Sequence, residues 1–255
     1  MEAAVKQIPP VVRIFGGSDE LDRAAADLIA ERSTKAINER GRFSVALSGG
    51  ATPRGLYRLL ASSAYRDRID WKAVHVFWVD ERCVPPDHRD SNFRLVHDLL
   101  LSRAPVPQGN IHRIRGEDLP ETAAQAYDEE LRTFFRATVP AFDLVLLGMG
   151  ADGHTASLFP SHPAVKESSR FVVPVTDGPG GYRRITMTLP VLDHASMVLF
   201  LVTGQEKADA VAQVLGQGNP GQYPAGLVRS RSGSVHWLLD RTAAKGLKDS
   251  AQECP

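Results

Sequence analysis

Residues 148–160 read GMGADGHTASLFP. Asp152 and His154 flank Gly153, and Thr155 and Ser157 follow closely. An imidazole titrates near neutral pH, so His154 can take a proton from water under physiological conditions. The Asp-x-His pair could also be half of a metal site, although no His-Glu-x-x-His motif or cysteine pair supplies the other ligands. Ser157 could be a nucleophile, but no Gly-x-Ser-x-Gly elbow surrounds it. A histidine that caps the following helix is the plain structural alternative.

Three further loops carry residues with chemical potential. SGGATP, Ser48 to Pro53, brings two glycines that let backbone approach a ligand, Gly49 and Gly50, followed by Thr52. Thr52 suits a helix N-cap and Pro53 a first helical position, so free amides at a helix start could cradle a phosphate. The Lys-Ser/Thr ending of a P-loop is absent, and a tight strand-to-helix turn without ligand remains open. VDERCVPPDHRDSN, Val79 to Asn92, packs Asp80, Glu81 and Arg82 at a strand end. That group could offer an arginine to an anion and a carboxylate to sugar hydroxyls, or it could be a solvated charged loop. In RRITMTL, residues 183–189, strand alternation puts Arg184, Thr186 and Thr188 on one face and turns Arg183 the other way. VTGQEKADAV places Lys207 in the first turn of a helix, where a cation opposes the helix dipole unless an anion binds. A surface lysine reaching into water is the alternative.

The elements that would position these loops alternate short apolar runs with helical stretches. Strands are expected at 11–15, 43–47, 74–79, 111–114, 142–147, 171–175, 183–189, 197–203 and 235–240. Helical periodicity covers Ser18–Arg40 with Gly41 as its stop, a stretch from about Pro53, Ser91–Ser102, Glu121–Thr138 and Gln205–Leu215. FDLVLL (142–147) is apolar on both faces apart from Asp143, as a central strand of a covered parallel sheet must be. Such alternation predicts βαβ units in one α/β domain over residues 1–255, with ligands at the carboxyl ends of the strands. The Gly- and Pro-rich stretch 216–226 reads as a surface loop.

Composition narrows the function classes. The chain has 255 residues, 43% hydrophobic and 24% charged, with 30 basic and 30 acidic side chains. Zero net charge gives no basic excess for nucleic acid or an anionic membrane. No apolar run approaches the roughly 20 residues of a membrane helix. Two distant cysteines, Cys83 and Cys254, form neither a disulfide framework nor a zinc knuckle, and Cys254 sits where chain order is usually poor. MEAAVKQIPPVVRIF lacks the basic-then-apolar profile of a signal peptide. A reducing, cytoplasmic location is expected.

Taken together, SGGATP, VDER with DSN, GMGADGHTASLFP, RRITMTLP, VTGQEKADAV and PAGLVRSRSGSVHWLLDRTAA resemble the 6-phosphogluconolactonase family. They run in the family's order from about residue 10 to 245. The resemblance implies a single catalytic domain with a mostly parallel, modified Rossmann-like sheet flanked by helices. Related glucosamine-6-phosphate deaminases share the Asp-Gly-His core but typically continue Ile-Ala-Phe-Asn-Glu-Pro, whereas this chain continues TASLFP. Two departures stand beside the motifs: SHPAV after TASLFP, where the family more often has a glycine, and DHA, where Asn-Ala-Ala is more usual.

The activity so implied is hydrolysis of 6-phospho-D-glucono-1,5-lactone to 6-phospho-D-gluconate in the oxidative pentose phosphate pathway. Water is the second substrate, and no metal or organic cofactor is required. By resemblance His154 is the general base, and Ser48, Gly49, Gly50, Thr52, Arg184 and Lys207 hold the phosphate. Arg82 is placed near the lactone end, with Asp80 holding its geometry. Asp152 either orients His154 or contacts sugar hydroxyls. A phosphosugar deaminase or isomerase and a non-catalytic phosphosugar sensor are the competing readings.

Overall fold

A computed structural model describes residues 9–216, 218–231 and 233–247, and the backbone of 252–253. Cys254 lies outside the described residues. Among the described residues there are eleven strands: β1 (Val11–Phe15), β2 (Phe43–Leu47), β3 (Val74–Trp78), β4 (Asp80–Arg82), β5 (Ile111–His112), β6 (Leu144–Leu147), β7 (Val172–Val175), β8 (Arg184–Met187), β9 (Met197–Val202), β10 (Ser234–Asp240) and β11 (Gln252–Glu253). Between them lie α1 (Ser18–Arg40), α2 (Arg54–Leu60), α3 (Ser63–Arg66), α4 (Asn92–Val96), α5 (Pro120–Phe135), α6 (Leu189–Asp193), α7 (Ala208–Leu215) and α8 (Pro224–Leu227).

The main sheet has the order β11-β1-β10-β9-β6-β2-β3-β5, and every neighbouring pair is parallel. From β2 the chain moves outward to β3 and β5, then returns to the other side of β2 to lay down β6. The strand order therefore reverses between β2 and β6. Such a switch point opens a crevice at the carboxyl ends of the strands. SGGATP leaves β2 and GMGADGH leaves β6, so both loops border that crevice.

Local sequence explains the elements. All residues of β2, β6 and β9 are buried, as strands covered on both faces should be. Helix α1 ends where expected: Gly41 takes the left-handed conformation at φ 72° and donates its N–H to Ile37 O at 2.8 Å. The 91–102 stretch is helical but changes pitch, with α4 running into a π-turn over His97–Leu101.

Three expectations change. The runs at 171–175 and 183–189 leave the main sheet and pair antiparallel in a second one, ordered β4-β8-β7. Charged DER, read as loop, is strand β4 of that sheet, because Arg184, Ile185 and Thr186 of the β8 edge supply its partners. Stretch 216–226 carries a 3-10 turn at Pro220–Gln222 and the start of α8. Among the described residues no helix is long and apolar enough to cross a membrane.

Candidate active site

A cavity of about 380 Å³ opens at the switch point. The loops after β2, β6 and β9 all reach it, together with Asp80 and Arg82 of β4, Asn92 at the start of α4 and Arg184 of β8. Ser48, Gly49, Gly50, Thr52, Asp80, Arg82, His154, Arg184 and Lys207 line it. Asp152 does not; it stands behind His154 and holds it.

His154 sits in a turn built by glycines. Gly150 N–H donates to His154 O at 2.9 Å, and Gly153 N–H to Gly150 O at 3.0 Å. A Cβ on Gly150 would collide with His154 Nδ1 and Asp152 Oδ1, so only glycine leaves room for the pair. Asp152 Oδ1 lies 2.6 Å from His154 Nδ1 and accepts the His154 N–H at 3.2 Å. Burial pushes the Asp152 carboxyl up, but the charge and hydrogen bonds of His154 outweigh it and the net shift is downward. An ionised carboxylate only accepts, so Nδ1 is a donor, and in the neutral imidazole the lone pair falls to Nε2. The Phe159 ring packs against the imidazole, with centroids 4.7 Å apart. Among the described residues no group of three His, Cys, Asp or Glu could hold a metal ion.

Arg82 and Arg184 are direct partners across the β4–β8 pair. Like charges placed opposite each other on neighbouring strands repel. Arg82 Nη1 donates to Asp90 O at 2.7 Å, and Arg184 Nη2 to Pro179 O at 3.3 Å. The Nε atoms of both are buried without a hydrogen-bond partner. Burial pulls the Arg184 guanidinium below its ordinary pKa, Asp80 pushes it back up, and Arg82 pulls it down again. An anion placed at the pair would relieve both the repulsion and the unmet donors.

Asp80 is buried and shares that face, yet Arg82 makes no hydrogen bond to it among the described residues. Its carboxylate instead accepts the Ser157 hydroxyl at 2.6 Å and Asn92 Nδ2 at 3.1 Å. Ser157 is 0% exposed with its hydroxyl so engaged, which leaves the nucleophile reading without support.

The loop after β9 also lines the cavity, with Glu206 and Lys207 side by side. Gly204, at φ 103°, donates its N–H to the Asp240 carboxylate at 3.1 and 3.3 Å, which anchors the turn that presents Lys207. Lys207 closes a 3-10 turn, Gln205–Lys207, and α7 starts one residue later. Thr52 does not cap α2. Pro53 holds that position, and Thr52 Oγ1 meets Thr203 Oγ1 at 3.1 Å, tying the first loop to the last. Sequence reasoning missed Asn92, Thr203 and Glu206, which also line the cavity. Asn92 lies within the DSN motif, and Thr203 and Glu206 lie within VTGQEKADAV close to Lys207, so proximity was the available signal.

Comparison with known proteins agrees with this architecture. A family model described as glucosamine-6-phosphate isomerases/6-phosphogluconolactonase matches residues 17–237. The chain is 41% identical over 244 residues to a 6-phosphogluconolactonase of Synechocystis sp., covering 94% of this chain and 99% of that one. It is 41% identical over 247 residues to the chloroplastic 6-phosphogluconolactonase 3 of Arabidopsis thaliana, covering 92% and 75%. A solved 6-phosphogluconolactonase from Trypanosoma cruzi superposes with a TM-score of 0.84 at 28% identity, over 95% of this chain and 99% of that one. A monomeric glucosamine-6-phosphate deaminase shares the fold at a TM-score of 0.78 and 22% identity. With β6 delivering Asp-Gly-His to the switch point of a parallel sheet, and a family model matching most of its length, the chain belongs to the glucosamine-6-phosphate isomerase/6-phosphogluconolactonase family.

Proposed function

We propose that the protein hydrolyses 6-phospho-D-glucono-1,5-lactone to 6-phospho-D-gluconate, in the oxidative branch of the pentose phosphate pathway. The observation that carries this reading is one cavity holding an Asp152-oriented imidazole together with the cations Arg82, Arg184 and Lys207. The lactonases among its relatives support the substrate. His154 Nε2 takes a proton from water as the oxygen attacks C1 of the lactone. A C–O bond forms and the carbonyl π electrons move onto oxygen. Arg82 steadies that oxyanion. Collapse breaks the bond between C1 and the ring oxygen, and the imidazolium returns its proton to that oxygen. The free carboxylic acid then ionises to water.

The phosphate end falls to Ser48, Gly49, Gly50, Thr52, Arg184 and Lys207. The cradle is made of loop amides, a guanidinium and a point charge, and dianions are held by such mixed donors. Asp80 ties strand β4, which carries Arg82, to the turn that carries His154. The test is hydrolysis of freshly generated 6-phosphogluconolactone, with spontaneous hydrolysis subtracted, for the wild type and His154→Ala. Turnover about 100- to 10,000-fold lower in the variant is expected. Ammonia release from glucosamine 6-phosphate, with the lactone left untouched, would overturn the reading.

A further inference from the structure

Asn92 has no task in the reaction as described, yet it is 1% exposed and lines the cavity. Its Nδ2 donates twice to one residue, to Asp80 O at 2.9 Å and to Asp80 Oδ1 at 3.1 Å. Two acceptors on that side fix which end of the amide is nitrogen. Oδ1 then turns to Gly49: a Cβ there would collide with it, and it has no hydrogen-bond partner. One side chain thus spans the gap between the glycine turn after β2 and strand β4.

Glu81 stands behind it, on the opposite face of β4 from Asp80 and Arg82. It is 2% exposed and accepts backbone N–H groups of Arg82, Asn92 and Phe93 at 2.8, 2.7 and 2.8 Å. It also accepts the Ser91 hydroxyl at 3.0 Å, whose oxygen in turn accepts Arg94 N–H at 3.1 Å. Burial pushes the Glu81 carboxyl up to about 7, and the N–H groups of Asn92, Phe93 and Arg82 that converge on it pull the other way. Glu81 therefore sets where α4 begins, and with it where Asn92 stands.

We propose that Asn92, seated by Glu81, is a positioning residue that fixes the separation of the Gly49 turn from the Asp80 carboxylate. This deepens, and rests on, the lactonase reading, in which those two groups serve the phosphate end and the reacting end of one substrate.

Asn92→Asp tests it. The shape is kept, but the donor facing Asp80 Oδ1 becomes an acceptor, and two carboxylates that close share a proton or repel. The ratio of kcat/KM to wild type is expected to fall about tenfold at pH 8 and to recover toward one near pH 5. The exchanged pair, Asp80→Asn with Asn92→Asp, restores a donor opposite an acceptor and should regain about threefold or more over Asn92→Asp. A residue that only filled space would give a loss with the wild-type pH profile and no gain in the double variant, and that result overturns the proposal. Thermal melts separate this from the lactonase reading. Coupling to Asp80 gives Asn92→Asp a Tm deficit at pH 8 that closes by pH 5, whether or not the lactone is turned over. A deficit that does not change with pH overturns the proposal, whereas a wild type inactive on the lactone overturns only the function.

Discussion

Ser157 and Asp80, 77 residues apart in sequence, are joined by a buried hydrogen bond of 2.6 Å. The Ser157 N–H also donates to Thr186 Oγ1 at 3.2 Å, so the turn carrying His154 is pinned to both β4 and β8. The residue before it, Ala156, lines the cavity at φ 49°, a left-handed conformation that costs a non-glycine residue energy. The pinned turn supplies that energy. His154 is therefore held from two sides, by Asp152 at its ring and by Asp80 through Ser157.

Ser157→Ala should reveal that coupling. A buried carboxylate oxygen loses its donor, which costs about 1–3 kcal/mol of stability. Turnover should fall more than the Michaelis constant rises, because the released turn carries the base and not the phosphate cradle. Urea melts and steady-state kinetics of the same preparation check both. Unchanged kinetics with lowered stability would confine the bond to folding.

Gly150→Ala should mimic loss of the base. The added methyl cannot coexist with the Asp152–His154 pair in its present geometry. Turnover is expected to drop toward that of His154→Ala, itself about 100- to 10,000-fold down. Asp152→Asn should lie between, since the amide can still meet Nδ1 but no longer selects its protonated form. The downward shift of Asp152 gives the pH sign: the carboxylate that holds the ring is present above its ordinary range and is lost only as pH falls through the lowered value. Asp152→Asn should thus show its full deficit at neutral pH. A deficit that appears only in acid would contradict this assignment.

Lys207→Ala should raise the Michaelis constant about 10- to 100-fold, the loss of one charge-assisted contact, with a smaller effect on turnover. Glu206 lies in the same cavity wall and repels a dianion, so Glu206→Gln should lower the Michaelis constant. A turnover defect larger than the binding defect in Lys207→Ala would move that lysine to the reacting centre.

Periodicity alone locates most of the elements, because β2, β6 and β9 are buried runs and α1 ends on a glycine that its geometry requires. Strand β4 was not legible. Three charged residues carry no apolar alternation, and their pairing with β8 depends on chain some hundred residues away. The site residues at strand ends were legible because glycines and unlike charges crowd there. What stayed hidden was who holds whom. Asp80 was expected to brace Arg82 and instead ties Ser157 to Asn92, and Thr52 was expected to cap α2 and instead meets Thr203. Those partners come from distant loops, and local spacing carries no information about them. The glycine that the family more often has after TASLFP finds a physical counterpart here: Ser161 adopts φ 64°.

Asp22 provides a test of stability away from the chemistry. It lies on α1, is 7% exposed, and reaches the start of α2, where the Leu56 N–H hydrogen bonds to it. Its Oδ1 has no partner. Two effects oppose each other at this carboxylate. The N-terminus of a helix favours an anion, typically by less than about 1 kcal/mol when exposed, whereas burial of a charge costs more. Burial wins: it raises the pKa to about 6, helped by nearby Asp19 and only partly offset by Leu56. A folded-state pKa above the unfolded value means that the neutral form is the stabilising one. That stability is complete below pH 3.8 and is lost as pH rises through about 6. Asp22→Asn keeps an acceptor for Leu56 without the charge. Each pKa unit is worth about 1.4 kcal/mol, so the variant should gain up to about 3 kcal/mol at pH 8 and match the wild type near pH 4. Urea midpoints at the two pH values measure the difference. A variant less stable than wild type at pH 8 would show that the helix end, and not burial, governs this residue.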